Sequence, residues 1–600
     1  MENCSEPGCA GTIEDGYCNV CGAVARGGAS GSASSPSARL STTSTRTGSS
    51  RLASAPIGSK RTGTKGFTAR TRKINTESAR VRAARIGAGL TRVPLVPRVD
   101  PATLVLENPE VPENRRFCPS CGTAVGRARA GNPGRTEGFE VLPAFSYLHS
   151  KGLIYCDFKP DNVIQVEDSL KLIDLGGVRR GDDQDGAIFG TIGYQAPEVA
   201  ELGPSEAGDI YTIARTLAVL TFDFRGYQTT YVDSLPTADE VALFKEHDSF
   251  YRLLAKATAT NPDDRFQSAD ELREQLFGVL REVVTRTNPQ ARPLSTPSPL
   301  FEAPGLTATV LTWDTLPALK PDTADKMMPW LAGVSVGDPQ KLLSLLADAA
   351  EQTTEVRLAG CRAALHLGDQ LSAAEFIDAI FADDPWEWRA LWMQGLAAFE
   401  REDWPAAVAA FNSAYGEQPG ELAPKLALAV ACERADQPVT AEELYDLCAQ
   451  TDVNYLAPSR FGIARIRAVR GDVAGALDAL ALIPETDRSH LTAQREQIAV
   501  LVAQPRGIED LGRALDVLAT LTLEPEDRQQ LTAEILERAL DLLAGSDAPD
   551  VLIAGHPATR SAVRDSLART YRALAALADT RKERVLLVER ANRVRNRTLV

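Results

Sequence analysis

Six hundred residues exceed what a single hydrophobic core organises and point to three or four domains. The composition, 44% apolar and 24% charged, is that of a globular protein, and no stretch approaches the ~18 to 20 consecutive apolar residues of a membrane span. The net charge of -15 is unevenly spread, because residues 36–98 are rich in Arg and Lys with almost no acid, which leaves the remainder strongly acidic.

Cysteines replace the apolar run of a signal peptide in the first 25 residues, so a soluble cytoplasmic protein is expected. The ten cysteines fall into clustered pairs at the front and single ones behind, a pattern that suits metal binding in a reducing compartment better than disulfides. The opening stretch "CSEPGCAGTIEDGYCNVCG" spaces Cys4, Cys9, Cys18 and Cys21 as C-x4-C-x8-C-x2-C. Four thiolates on two tight turns can close a tetrahedral shell around zinc, and so short a segment has little core of its own to fold around. Residues 1–26 are therefore expected to form a small zinc ribbon; the plainer alternative is four unrelated thiols in a tail.

Residues 27–101 are Ser, Thr, Gly and Arg with few large apolar side chains, and a disordered basic tail is expected. A solvated tether is its plainest role, and a docking tail phosphorylated at threonines such as Thr62, Thr64 and Thr68 the sharper one. Nucleic-acid binding ranks last, because Phe67 is the only aromatic residue in the stretch. Next, "RFCPSCG" supplies Cys118 and Cys121, one knuckle of the rubredoxin type for iron or zinc. No second knuckle follows, since the next cysteine is Cys156, and residues 102–139 read as a partial rubredoxin-like segment with half a metal site.

In "VLPAFSYLHSKGLI" the helical spacing of Leu142, Phe145 and Leu148 leads to a turn at Gly152. The segment "YCDFKPDN" follows, with Asp157, Lys159 and Asn162, and then "SLKLIDLGG", an apolar strand running into Asp174. Further on come "GTIGYQAPE" with Thr191 and Glu198, "GDIYTIARTLAVL" with Asp209, and "NPDDRF" with Arg265. One such piece is weak evidence; five in this order are specific.

The series resembles the C-terminal lobe of eukaryotic-type Ser/Thr protein kinases, and residues 140–286 are read as that lobe, mainly helical and of α+β class. The resemblance implies ATP and magnesium as cofactors and protein substrates. It implies that Asp157 accepts or orients the proton of the substrate hydroxyl, that Asn162 and Asp174 hold magnesium, and that Lys159 neutralises the transferred phosphoryl group. By the same resemblance Lys159 with Thr191 indicates Ser/Thr substrates, Glu198 pairs with Arg265, and Asp209 braces the catalytic loop. Cys156 stands where the family usually carries an arginine, so control by activation-loop phosphorylation is not expected.

The N-terminal lobe of a kinase, with its Gly-rich loop, strand lysine and helix glutamate, needs at least ~60 residues. Only residues 122–143 separate the cysteine knuckle from the first helix of the lobe. Upstream, Gly87 and Gly89 in "IGAGLTR" follow no strand, and no lysine occurs between Lys73 and Lys151. Phosphoryl transfer rests on positioning and electrostatics, so very low activity is expected of this chain.

A Pro-rich linker, "NPQARPLSTPSPLFEAPG", falls within residues 287–325, and Ala-Leu helical periodicity takes over behind it. At a period of about 34 the chain repeats Gly368-Asp369, Ala373 and Pro385, then Gly395, Ala407, Phe411, Ala414 and Pro419. Ala441 and Tyr445 continue the series, as do Gly471-Asp472 and Ala476 after one inserted residue. Residues 326–545 are expected to form an all-α tetratricopeptide-like solenoid that binds a partner or supports a homodimer. Residues 546–600 are read as capping helices with Arg581, Lys582, Arg584, Arg590 and Arg593 in the last turns.

The order of knuckle, kinase lobe and repeats, with "RFCPSCG", "LKLIDLGG" and "PGELAPKLALA", resembles the actinobacterial protein kinase G family over about residues 95–600. That resemblance implies a soluble Ser/Thr kinase acting on forkhead-associated-domain regulators of carbon and nitrogen metabolism, with a rubredoxin-like module that modulates it. In "GRTEGFEVLPAFSYLHS" the point where a second knuckle should begin runs directly into the helix before the catalytic loop, so one internal gap accounts for both missing parts. Two expectations follow: a kinase of impaired activity, or a non-catalytic pseudokinase scaffold that binds partners through its repeats.

Overall fold

The computed structural model describes residues 137–166, 169–182, 188–288, 295–305 and 309–595, together with four short strands ahead of them. The first 51 residues form one unit and the rest another. In the first unit, strands β1 (Glu2–Asn3), β2 (Thr12–Glu14) and β3 (Tyr17–Cys18) make an antiparallel sheet in that order. The register pairs Glu14 with Tyr17. Cys18 lies on β3, whereas Cys4, Cys9, Cys21, Cys118 and Cys121 lie outside the described residues, as does nearly all of the stretch read as a tail. That stretch does contribute one strand, β4 (Ala55–Ile57), paired antiparallel with β9 (Ile188–Gly190).

The kinase-like segment begins with helix α1 (Glu137–Ser150), whose Leu142 and Phe145 are fully buried, as the apolar spacing predicts. Two small antiparallel ladders frame the loop behind it: β5 (Leu153–Ile154) pairs with β8 (Arg179–Arg180), and β6 (Val163–Val166) pairs with β7 (Ser169–Leu172). A short helix, α2 (Val199–Leu202), precedes α3 (Glu206–Thr221), whose residues Gly208 to Ala218 are all buried. Ser205 caps α3 by accepting from the Gly208 amide. Helices α4 (Ala242–Glu246), α5 (Asp248–Ala257) and α6 (Ala269–Thr287) complete the lobe around Phe145, Tyr155 and Phe158, whose rings meet edge to face.

Helix pairs then repeat: Thr354–His366 with Gln370–Asp383, Trp388–Glu400 with Trp404–Glu417, Leu422–Arg434 with Pro438–Thr451, and Val453–Val469 with Val473–Ala481. Each turn inside a pair holds one left-handed residue, Gly368, Glu402, Asp436 or Gly471. Asp369, Asp403 and Asp472 follow three of them and cap the second helix by accepting a backbone N–H. These four positions reproduce the repeat period, including its one inserted residue. Small residues sit where helices cross: a Cβ on Gly395 would lie 2.3 Å from the Phe411 ring, and one on Gly462 would lie 2.4 Å from the ring of Tyr445.

The structure corrects two details at the rear. An antiparallel hairpin, β10 (Ala548–Ile553) with β11 (His556–Ala558), interrupts the stretch read as capping helices. Arg581, Lys582 and Arg584 begin the last helix, Arg581–Val594, rather than ending it. The Pro-rich linker packs against the repeats. Phe301 is buried against Trp392 at a centroid distance of 4.9 Å, Leu311 and Leu316 enter the repeat core, and Arg465 donates to the Thr309 carbonyl.

The lobe and the repeats share an interface. A Cβ on Gly420 would lie 2.3 Å from the Gln275 carbonyl oxygen and one on Gly278 would lie 2.1 Å from that of Gly420, so two backbones meet with no room for a side chain. Around this point Glu282 and Lys425 form a buried ion pair, Arg281 donates to Asp452 at 2.7 Å, and Lys256 donates to Glu417 at 2.6 Å. Burial raises the pKa of the Glu282 carboxyl, and the Lys425 charge offsets that shift in part.

Candidate active site

The loop between β5 and β6 is held from beneath by α3. Asp209, fully buried, accepts from the Tyr155 amide at 2.7 Å with one carboxylate oxygen and from the Cys156 amide at 2.7 Å with the other. His149 Nε2 donates to the same carboxylate at 2.9 Å. Two amides that α1 and β5 cannot satisfy thus find one acceptor, and the turn is fixed strongly enough to hold Cys156 at φ 70. Sequence reasoning missed His149, although its spacing from Leu142 and Phe145 places it on the buried face of α1.

Asp157 points into a closed triangle. Lys159 Nζ donates to one of its oxygens at 2.9 Å, Thr191 Oγ1 donates to the other at 2.6 Å, and Lys159 also donates to Thr191 at 2.8 Å. Residues from two segments, the loop at 157–159 and the one at 191, therefore meet. Asn162 Nδ2 donates to the Asp157 carbonyl at 2.7 Å, and its own carbonyl accepts from the Ile173 amide at 2.9 Å, which ties the loop to the strand that delivers Asp174.

Asp174 is exposed and left-handed at φ 58, with one oxygen accepting from the Gly176 amide at 3.2 Å. A Cβ on Gly177 would lie 3.5 Å from that of Asp157, so this turn passes directly beside the loop. The Tyr155 hydroxyl reports the same crowding: burial raises its pKa first, then the nearby carboxylates of Asp174, Asp157 and Asp209. Asn162 and Asp174 present oxygen donors, the ligand type magnesium prefers.

The supporting pairs also form. Arg265, buried, makes a two-pronged contact with Glu198 at 2.6 and 2.7 Å, and its guanidinium stacks over Tyr211 at 4.8 Å. Cys156 brings no cation to the loop: burial, with Asp209 adding to it, pushes its thiol up to about 12. Ile164 and Leu175 stand exposed. Among the described residues no cluster of metal-ligating side chains forms, and no helix is long and apolar enough to cross a membrane.

A protein kinase domain model matches residues 135–293, a protein kinase G rubredoxin domain model residues 80–147, and a protein kinase G tetratricopeptide repeat model residues 306–598. The first two overlap, so no residues lie between them. Serine/threonine-protein kinase PknG of Mycolicibacterium smegmatis is 36% identical over 521 residues, covering 79% of this chain and 67% of that protein. PknG of Mycobacterium leprae is 35% identical over 498 residues, covering 76% and 64%. Serine/threonine-protein kinase PknA of a Nostoc species matches only 23% of the chain, at 31% identity. The chain spans about two thirds of the length of the two PknG relatives. With two family-specific segments on either side of a protein kinase domain and relatives matched over most of its length, the chain belongs to the protein kinase G family.

Proposed function

We propose that the chain is a serine/threonine protein kinase of the protein kinase G type, transferring the γ-phosphate of ATP to Ser or Thr hydroxyls of protein substrates. The observation that carries this reading is the triangle of Asp157, Lys159 and Thr191, which holds a carboxylate and a cation where a hydroxyl could be received. Asp157 would orient the acceptor hydroxyl and take its proton, while Lys159 would offset charge on the phosphoryl oxygens. Asn162 and Asp174 would hold magnesium, and magnesium-ATP, when bound, supplies the phosphoryl group and the divalent charge that neutralises it. Glu198, Asp209 and Arg265 would keep this arrangement rigid.

Activity is expected to be low, because the Gly-rich loop and strand lysine have no counterpart between the knuckle and α1. From its cysteine spacing the ribbon would bind zinc, the repeats would support a homodimer, and by family resemblance the substrates would include forkhead-associated-domain regulators of metabolism. A second reading, a non-catalytic scaffold, is favoured by the lobe's close docking on the repeats.

Transfer of labelled γ-phosphate from magnesium-ATP to a forkhead-associated-domain substrate, beside an Asp157→Asn control, separates the two. Transfer that the control abolishes supports the kinase. Its absence from a chain shown by circular dichroism to be folded leaves the scaffold.

A further inference from the structure

Arg215 is a charged side chain that none of the roles above uses. It sits in the middle of α3 with no exposed surface, and among the described residues it makes no ion pair, the Asp233 charge acting on it only from farther off. Its guanidinium is spent on backbone carbonyls instead. Nε donates to the Gly193 carbonyl at 2.8 Å, one terminal nitrogen donates to that of Ser234, and the other donates to those of Tyr227 at 2.9 Å and Tyr231 at 2.6 Å. The Phe224 ring covers the group at 4.8 Å.

These carbonyls belong to two stretches that share no strand or helix. Gly193 stands two residues beyond Thr191, which holds Asp157, and the other three line the loop that follows α3. Gly193 is left-handed at φ 87, and a Cβ there would lie 2.7 Å from the Tyr227 carbonyl oxygen and from its ring. The Tyr194 and Tyr227 rings meet edge to face at 5.3 Å. A neutral side chain could not satisfy four converging carbonyls, and a lysine ammonium could not reach them in this fork geometry.

We infer that Arg215 is a positioning residue for the acceptor protein: through Gly193 it fixes the segment 191–195 against the loop 227–234, and so fixes the platform beside Asp157 on which a substrate Ser or Thr must lie. The assignment rests on the kinase reading above. Asp209, about one and two-thirds turns earlier on α3, holds the catalytic loop, and Arg215 holds the acceptor side, so one helix anchors both halves of the reaction.

The test compares the full chain with Arg215→Lys, Arg215→Met and Gly193→Ala. The last disturbs the same contact without touching the arginine. Wild-type transfer is measured first. In active protein the expected result is a rise of about tenfold or more in KM for the acceptor protein in Arg215→Met and Gly193→Ala, with KM for ATP unchanged and partial recovery in Arg215→Lys. Equal losses towards both substrates, or an unchanged acceptor KM, would overturn the assignment. If wild-type protein transfers nothing, the kinase reading fails on its own, and amide hydrogen exchange decides the clamp. Protection lost at residues 191–195 but kept at 155–162 in Arg215→Met supports it, and unchanged exchange at 191–195 refutes it.

Discussion

At the level of single residues, the site depends on buried charges that each satisfy several partners. Asp209→Ala leaves the Tyr155 and Cys156 amides and His149 without an acceptor, and a loss of about 3 kcal/mol or more is expected in chemical denaturation. For Glu198 and Arg265, each single neutral substitution strands a buried charge and is expected to cost about 3 to 5 kcal/mol, whereas Glu198→Gln combined with Arg265→Met should cost less than the two single losses added. The buried thiols of Cys156 and Cys361, each raised to about 12, and of Cys432, raised to about 11, titrate far above an ordinary cysteine. Their contribution to stability is therefore complete below the unfolded-state pKa of about 8.5 and is lost as pH climbs towards the folded values. Peptide mapping after alkylation at pH 8 should find these three unmodified in folded protein and modified in denatured protein. The roles proposed for Asp157, Lys159, Asn162 and Asp174 come from the resemblance to a kinase C-terminal lobe, whose motifs lie close together along the chain. Those of His149 and Arg215 could not be read from the chain, because their partners are backbone groups and carboxylates that approach only after folding.

Among the helices and strands, sequence reasoning did best where a local rule decides the conformation. The helical spacing of Leu142 and Phe145 marked α1, and the recurring Gly-Asp pairs marked the turns of the repeats, since a left-handed residue followed by a capping Asp is a local requirement. Glu402 and Asp436 occupy the same left-handed position without glycine, so the period was harder to see there. Replacing Glu402 by Gly should stabilise the array by a few tenths to about 1 kcal/mol, measurable as a raised unfolding midpoint, by relieving that strain. The hairpin formed by β10 and β11 escaped notice because it lies between helices of strong periodicity.

Taken as a whole, the molecule joins the lobe and the repeats by a contact that no pattern in the chain announces, because it rests on the absence of side chains at Gly278 and Gly420. Gly420→Ala forces a methyl group into the Gln275 backbone and should convert a single calorimetric transition into two, as the two cores come apart. The Pro-rich strap adds a second tie, since Phe301 lodges against Trp392, the Thr296 amide donates to Asp452, and the Thr309 carbonyl receives Arg465. An ordinary array of helical repeats touches only its neighbours and can fray from an end, one unit at a time. A cord laid across several units removes that freedom, because no middle repeat can open until the cord has first been peeled from all of them. Pulled by its ends, such a chain would resist and then give way at once, like a laced seam rather than a zip.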